Sequence, residues 1–431
     1  MDTKAKLTTC VLLLLALGTA TSLVAQNASP TLTPLYTFRG EADGGSPNEV
    51  ILDPAGNLYG TATYGGNSAD EGGYGVVFKI DIRGRESLLY TFTGQDGANP
   101  YAGVLRDNSG VLYGNTNGGG DNGTGVVFKL RPKATFCAAV LCPWNETLPH
   151  IFGPYAGSDG DSPYADFVED GNGNLYSTTA YGGGPSNGGA GSGTVFEIDS
   201  HGNYSILYSF AGPPTDGLYV TAPVLLGADG NLYGTAAQGG TNGAGMVFEL
   251  TPTQSGWTES VLYNFTGGSD GANPFAGLIE DAQGNLYGTA SGGGSGSGVV
   301  FELSRNGSSW TETVLYAFGG APDGARPAAK LLMDSSGNLY GTTTAGGTVA
   351  GCPLGNSGCG TLFKLTRNGS SWTEAWLYSF SGGADGAGSY GPLVMDAHGN
   401  LYGAAFNGGD LNSADPACAG IGCGVVFKLT P

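Results

Sequence analysis

Gly230-Asn231-Leu232-Tyr233-Gly234-Thr235, followed across a Gly239-Gly240 loop by Gly245-Met246-Val247-Phe248-Glu249-Leu250, is the stretch on which the reading of this chain turns. Its Leu-Tyr core recurs at Leu58, Leu112, Leu175, Leu232, Leu286, Leu339 and Leu401, at spacings of 54, 63, 57, 54, 53 and 62 residues. Self-similarity at such a period marks a repeat architecture, in which one supersecondary unit is copied along the chain.

Three more apolar segments surround each Leu-Tyr segment (B). Before it comes a short run ending near an Asp, such as Val50-Ile51-Leu52-Asp53 (A). After it come a Val-Phe segment such as Val126-Val127-Phe128-Lys129-Leu130 (C) and a run such as Val261-Leu262-Tyr263-Asn264-Phe265 (D). All four are short, β-branched or aromatic, and bounded by Gly, Asn, Asp or Pro, which predicts strands joined by tight turns. Asn306-Gly307 and Asn368-Gly369 between C and D are hairpin signals. Asp281-Ala282-Gln283-Gly284-Asn285 between A and B supplies a glycine for positive φ and an Asp to cap its own turn. A unit of about 55 residues with four antiparallel strands matches one propeller blade.

The chain ends fix the number and the closure. It opens on a D-type segment, Leu35-Tyr36-Thr37-Phe38, and closes on a C-type segment, Val425 to Leu429. Pairing the two completes the last blade and leaves no open sheet edge. The prediction is an all-β, seven-bladed propeller over residues 26–431, closed by an N-terminal outer strand. Repeated residues are expected to be structural, with Tyr and Phe filling the wedges between blades.

Composition bounds the rest. Of 431 residues, 81 are Gly and only 52 are charged, and 16 basic against 36 acidic residues give a net charge of −20. Such a surface repels phosphates and anionic membranes, so nucleic acid is excluded as a partner. Forty aromatic Tyr and Phe residues exclude a disordered chain.

Residues 1–25 read as an export signal: Lys4 and Lys6, an apolar run from Val11 to Leu17, and Leu23-Val24-Ala25 before Gln26. No later stretch is apolar for the 18 or so residues a membrane span needs. No surface anchor is recognisable at the C-terminus, and the expectation is a monomer that is secreted, periplasmic or held at the cell surface. Beyond Cys10, six cysteines form three close pairs: Cys137 with Cys142, Cys352 with Cys359, and Cys418 with Cys423. Local pairs in an exported chain predict three disulfides, each clipping one loop.

Chemistry is scarce. His150 is placed in the cysteine-bearing insertion, His201 in a C-to-D turn and His398 in an A-to-B turn, and each reads as a solvated turn residue. Gly184-Pro185-Ser186-Asn187-Gly188 matches a nucleophile elbow by letter, but it sits in a Gly-rich loop rather than between a strand and a helix. No catalytic residue is assigned. Asp170-Gly171-Asn172-Gly173-Asn174 resembles the start of a calcium loop yet lacks the sixth-position glycine and the acidic twelfth. Each D-to-A link holds an Asp-Gly pair, at Asp43, Asp96, Asp159, Asp216, Asp270, Asp323 and Asp385. These links enter the innermost strands, so the seven carboxylates are placed around one channel mouth, facing the B-to-C loops. Their recurrence favours a turn role, with binding of a cation or polar ligand as the alternative. No cofactor is required by the sequence; calcium at these aspartates is the one alternative.

Gly-Asn-Leu-Tyr-Gly-Thr, the Gly-Gly loop and Gly-x-Val-Phe-Lys-Leu together resemble the GloVer tandem-repeat, or choice-of-anchor, family of exported bacterial proteins, over about residues 32 to 430. The Asp-x-x-Gly-Asn-Leu-Tyr pattern is also similar to the blades of NHL-type propellers. The resemblance implies a fold and an extracytoplasmic location, and carries no activity or catalytic residue.

Three functions fit. The favoured one is an exported, non-catalytic propeller that binds a carbohydrate, peptide or surface partner through one loop face. The second is a channel-mouth lyase or hydrolase on polysaccharide or acidic substrates, marked by Tyr, His and Arg clustered at one mouth. The third is a structural or adhesive surface component. Propellers host many functions, so the site must decide.

Overall fold

A strand of alternating large and small residues bounded by Gly-Asn turns pairs most readily with its sequence neighbours, and every Leu-Tyr segment here does so. The computed structural model describes residues 29–66, 72–132, 144–155, 157–184, 189–307, 309–347, 351–369, 371–413 and 415–431. Outside them lie the leader-like segment and Pro185 to Gly188 of the elbow-like pattern. The disulfide expected between Cys137 and Cys142 also lies outside the described residues.

Seven four-stranded antiparallel sheets follow one another along the chain. Blade 1 comprises Gly45–Leu52, Leu58–Tyr64, Val76–Ile80 and Glu86–Thr91; blade 2, Leu105–Arg106, Leu112–Thr116, Val126–Arg131 and Asn145–Ile151. Blade 3 comprises Val168–Glu169, Leu175–Thr179, Thr194–Ile198 and Tyr204–Ser209; blade 4, Leu225–Leu226, Leu232–Ala236, Met246–Thr253 and Gly256–Asn264. Blade 5 comprises Ile279–Glu280, Leu286–Ala290, Val299–Asn306 and Ser309–Ala317; blade 6, Leu332–Met333, Leu339–Thr343, Thr361–Asn368 and Ser371–Ser379. Blade 7 takes Val394–Met395, Leu401–Ala405 and Val425–Thr430 from the C-terminus and Thr31–Thr37 from the N-terminus. The closing pair runs from Thr31 opposite Thr430 to Thr37 opposite Val425. The predicted seven-bladed propeller, closed by its N-terminal strand, is the observed fold.

Each letter of the repeat has a physical task, seen clearly in blade 5. The Asp281 carboxylate accepts the N–H groups of Gln283 and Asn285, each at 2.9 Å, closing the turn. Its other oxygen accepts the Asn285 amide and the Tyr287 hydroxyl, also at 2.9 Å. Leu286 is wholly buried. Gly288 lies beneath the ring of Phe301, where a Cβ would fall 2.6 Å from Cζ. The Thr289 hydroxyl donates to the Ala329 carbonyl of blade 6 at 3.3 Å, so the motif ends in an inter-blade hydrogen bond. Gly288→Ala is expected to destabilise by roughly 1–3 kcal/mol through overpacking, and Thr289→Val by about 1 kcal/mol through the lost bond. Chemical denaturation of both variants checks this; parental midpoints would remove these residues from the joint.

The joints between blades repeat as faithfully as the blades. The phenylalanine ending each outer strand meets the Val-Phe phenylalanine of the next blade edge-to-face. The seven pairs are Phe38–Phe78, Phe92–Phe128, Phe152–Phe196, Phe210–Phe248, Phe265–Phe301, Phe318–Phe363 and Phe380–Phe427, with centroids 4.9–5.5 Å apart. Edge-to-face pairing adds about 0.5–1.5 kcal/mol per pair to the area buried. A second ring of bonds is made by backbone. Ser46, Asn99, Ser162, Tyr219, Asn273, Arg326 and Gly388 all have φ between 53° and 65°. Each donates its N–H to the preceding blade, as Asn273 does to Ala244 at 2.8 Å and Gly388 to Cys359 at 2.9 Å.

Two predicted disulfides are present, Cys352–Cys359 and Cys418–Cys423. Each spans a loop whose last cysteine accepts one of those inter-blade bonds, Ser46 donating to Cys423 at 2.6 Å. The clips therefore hold the joints on either side of the closing blade.

Candidate functional site

The D-to-A links and B-to-C loops share one face, as expected. They pair directly as two-stranded ribbons, Gly160–Asp161 with Tyr181–Gly182, Gly217–Leu218 with Gln238–Gly239, and Gly324–Ala325 with Ala345–Gly346. This face rims the mouth of the central channel.

The seven Asp-Gly aspartates do not ring that mouth. Each is turned toward the outer strand that precedes it. Asp43, Asp96, Asp216, Asp270, Asp323 and Asp385 accept the hydroxyls of Tyr36, Tyr90, Tyr208, Tyr263, Tyr316 and Tyr378 at 2.7–3.1 Å. Asp159 meets His150 Nε2 at 3.0 Å instead. Every one also accepts a backbone N–H just beyond the outer strand, from Arg39, Thr93, Gly153, Ala211, Thr266, Gly319 and Ser381. The link leaves the outer edge of one blade before reaching the channel, and its Asp is used at that edge. Asp170 likewise spends its carboxylate on Asn172, Asn174 and Tyr176, as the A-to-B turns of blades 1, 5, 6 and 7 do with theirs. No group of three or more His, Cys, Asp or Glu residues suited to a metal occurs among the described residues.

His150 also departs from its expected place. It belongs to the outer strand of blade 2, where other blades carry Tyr, and stacks on Tyr204 with centroids 3.7 Å apart. His201 and His398 are the exposed turn residues that the sequence predicts, each bonded through its backbone N–H to a turn aspartate.

Beside five of these outer-edge aspartates stand five glutamates of the next blade's outer strand: Glu86, Glu146, Glu259, Glu312 and Glu374. Each has one buried carboxyl oxygen with no hydrogen-bond partner among the described residues. Burial, with the charges of Asp43, Asp96, Asp216, Asp270 and Asp323 respectively, pushes all five up to about 7.

What does line the mouth is where the repeats differ. The residue just before each buried inner-strand anchor is Gly103, Pro223, Gly277 or Pro392 in four blades, but Glu49, Asp166 and Lys330 in blades 1, 3 and 6. Glu49 reaches over Gly103, where a Cβ would collide with its carboxyl, and bonds Asp166. Asp166 also accepts the Gly103 N–H at 2.6 Å. Burial and mutual repulsion hold Glu49 well above the usual carboxylate range, burial raises Asp166, and Lys330 opposes both shifts. Two carboxyls this close disfavour ionising together, and the nearby Lys330 works against that. These groups line a cavity of about 130 Å³ at the channel axis, room for several waters or the end of a small polar ligand.

Above the cavity lies an aromatic crescent. Tyr64 and Tyr101 share a hydrogen bond of 3.3 Å, Tyr101 and Tyr164 lie 5.3 Å apart, and Tyr164 and Tyr219 lie 6.5 Å apart. Tyr219 then meets Tyr181 at 5.5 Å and Phe275 at 6.3 Å. All six are half-buried. Across the mouth, Tyr390 is 54% exposed and packs on Phe406. Tyr219 is held at φ 65°, a backbone state that Asn or Gly adopts more readily, and its three ring contacts offset that strain.

Sequence reasoning overlooked these residues because it followed what recurs. Tyr101, Tyr164 and Phe275 each follow the repeated proline, where blade 6 has Ala328. Alignment of the copies on that proline exposes them.

Fold and mouth define a seven-bladed β-propeller with an aromatic-rimmed, charged channel entrance. The model of the Gloeobacter/Verrucomicrobia repeat matches residues 17–188, 142–352 and 227–431, and the chain belongs to that family, the one its sequence resembles. No curated protein matches the sequence. Among solved structures it is similar to a putative 6-phosphogluconolactonase from Bacteroides uniformis, at 14% identity, 81% coverage of this chain, 89% of the other, and a TM-score of 0.49. It is also similar to a protein of unknown function from Dyadobacter fermentans, at 11% identity, 92% and 96% coverage, and a TM-score of 0.43. A gluconolactonase from Xanthomonas campestris matches at 13% identity, 73% and 86% coverage, and a TM-score of 0.40. At such scores none of them brings a substrate to this chain.

Proposed function

We propose that this chain is an exported propeller that binds carbohydrate, without transforming it, at the channel mouth on its loop face. The aromatic crescent carries the reading. Half-exposed Tyr rings present apolar faces for the C–H faces of a sugar ring and hydroxyls for its oxygens, and a polar cavity with room for water lies directly below. The Cys352–Cys359 and Cys418–Cys423 disulfides fit an oxidising, extracytoplasmic compartment, as does the leader-like start. No helix among the described residues is long and apolar enough to cross a membrane.

Tyr164→Ala is expected to weaken glycan binding at least tenfold, about 1.4 kcal/mol, with little change in thermal midpoint. Calorimetric titration with the best ligand from a broad glycan array tests it. Unchanged affinity in the variant, or an array without a single ligand, would sink the proposal. The hydrogen-bonded Glu49–Asp166 pair beside Lys330 favours a second reading, a channel-mouth hydrolase. Product analysis of bound glycans distinguishes the two, because turnover abolished by Glu49→Gln would make the site catalytic.

A further inference from the structure

One carboxylate at the mouth is not spent on holding the fold together. Asp161 is 2% exposed, accepts the Ser162 hydroxyl at Oδ1 (2.7 Å), and has no partner for Oδ2 among the described residues. A buried carboxylate oxygen without a donor is costly, and such atoms are ordinarily matched by water, an ion or a ligand. The position is not structural in the way the Asp-Gly aspartates are. The corresponding residues of the other blades are Gly45, Ala98, Leu218, Ala272, Ala325 and Ala387, so an apolar or absent side chain serves the fold equally well.

Asp161 stands directly opposite Tyr181 in its two-residue ribbon, which puts both side chains on one face. Burial and neighbouring tyrosines raise the phenols of Tyr164 and Tyr181, and the Asp161 charge adds to both shifts, so it lies near both. Tyrosine faces attract cations through their quadrupole, and a nearby carboxylate adds to that attraction. The surrounding field has the same sign: the molecule carries −20, and an anionic ligand would approach against it.

We infer that the mouth selects a carbohydrate bearing a free, protonated amine, with Asp161 as its counter-charge beside the Tyr164 and Tyr181 rings. This rests on the carbohydrate reading and narrows it to amino sugars.

The test compares matched pairs, each an amino sugar and its N-acetylated form: glucosamine, galactosamine and mannosamine, and the glucosamine and N-acetylglucosamine hexamers. Calorimetric titration is carried out on the parent chain, Asp161→Asn and Asp161→Ala, the second carrying the residue four other blades use. The expected result is at least tenfold tighter binding of one free amine than of its acetylated partner, lost in both variants while the acetylated form binds as before. Equal binding of both members, or a preference that survives in both variants, overturns the inference and leaves the carbohydrate reading standing. If no member of any pair binds the parent, and the glycan array also fails, both fall together.

Discussion

A chain beginning at Arg39, without the Thr31–Thr37 strand and Phe38, is expected to lose its cooperative unfolding transition and to associate through an open edge. The deleted strand supplies six paired positions along Val425–Thr430. Phe38, wholly buried, supplies one of the seven Phe–Phe joints. At that joint no covalent link ties the first three strands of blade 7 to blade 1, so the strand pairing closes the ring. An unpaired central-type strand is a template for aggregation. Size-exclusion chromatography and thermal denaturation read the outcome, and a synthetic peptide of residues 29–38 added in trans should restore the parent's elution volume and transition. Phe38→Ala in the full chain is the milder form, expected to destabilise by about 3–5 kcal/mol. A truncated monomer melting cooperatively within a few degrees of the parent would show that closure does not hold the fold.

Stability is expected to rise as pH falls from 8 toward 5, against the habit of acidic proteins of losing carboxylate interactions on acidification. Burial and neighbouring aspartates push the five outer-strand glutamates up to about 7 in the folded chain, far above an unfolded Glu. Between those two values the native state holds more protons than the unfolded state, so stability falls as pH rises through 7. Glu49 and Asp166 act in the same direction. After discounting for partial exposure, each of these glutamates contributes on the order of 1 kcal/mol, giving a midpoint roughly 5 °C higher at pH 5.5 than at pH 8. Below about pH 4 the sign reverses. Asp53, Asp107, Asp170, Asp281, Asp334 and Asp396 are held below the usual range by turn hydrogen bonds that outweigh partial burial, and protonation removes that stabilisation. Replacing all five glutamates with Gln should flatten the profile between pH 5.5 and 8. A midpoint that climbs steadily from pH 5.5 to 8 in the parent would refute this role for the outer-strand glutamates.

The fold was legible because its causes are local and copied. Asp281, Asn285, Leu286, Tyr287 and Gly288 meet within one hairpin and the strand beside it, so their spacing in sequence already encodes their contacts. The candidate site was not, for the opposite reason. Glu49 and Asp166 stand 117 positions apart and touch only because blade 2 contributes Gly103 between them. The Asp-Gly aspartates invite the reverse error: they recur visibly and look like a ring of ligands, yet six of them bond a tyrosine hydroxyl six to eight residues earlier and Asp159 bonds His150.

By itself, then, the sequence determined the blade, the number of blades, the two observed disulfides and the closing strand. Each follows from neighbours in the chain or from a pattern that must pair its own ends. Tertiary structure alone decided which unlike residues meet at the axis. A propeller brings one position from every blade to the same mouth, so the site is assembled from the differences among copies. Those differences are silent along the chain until ring closure sets them face to face.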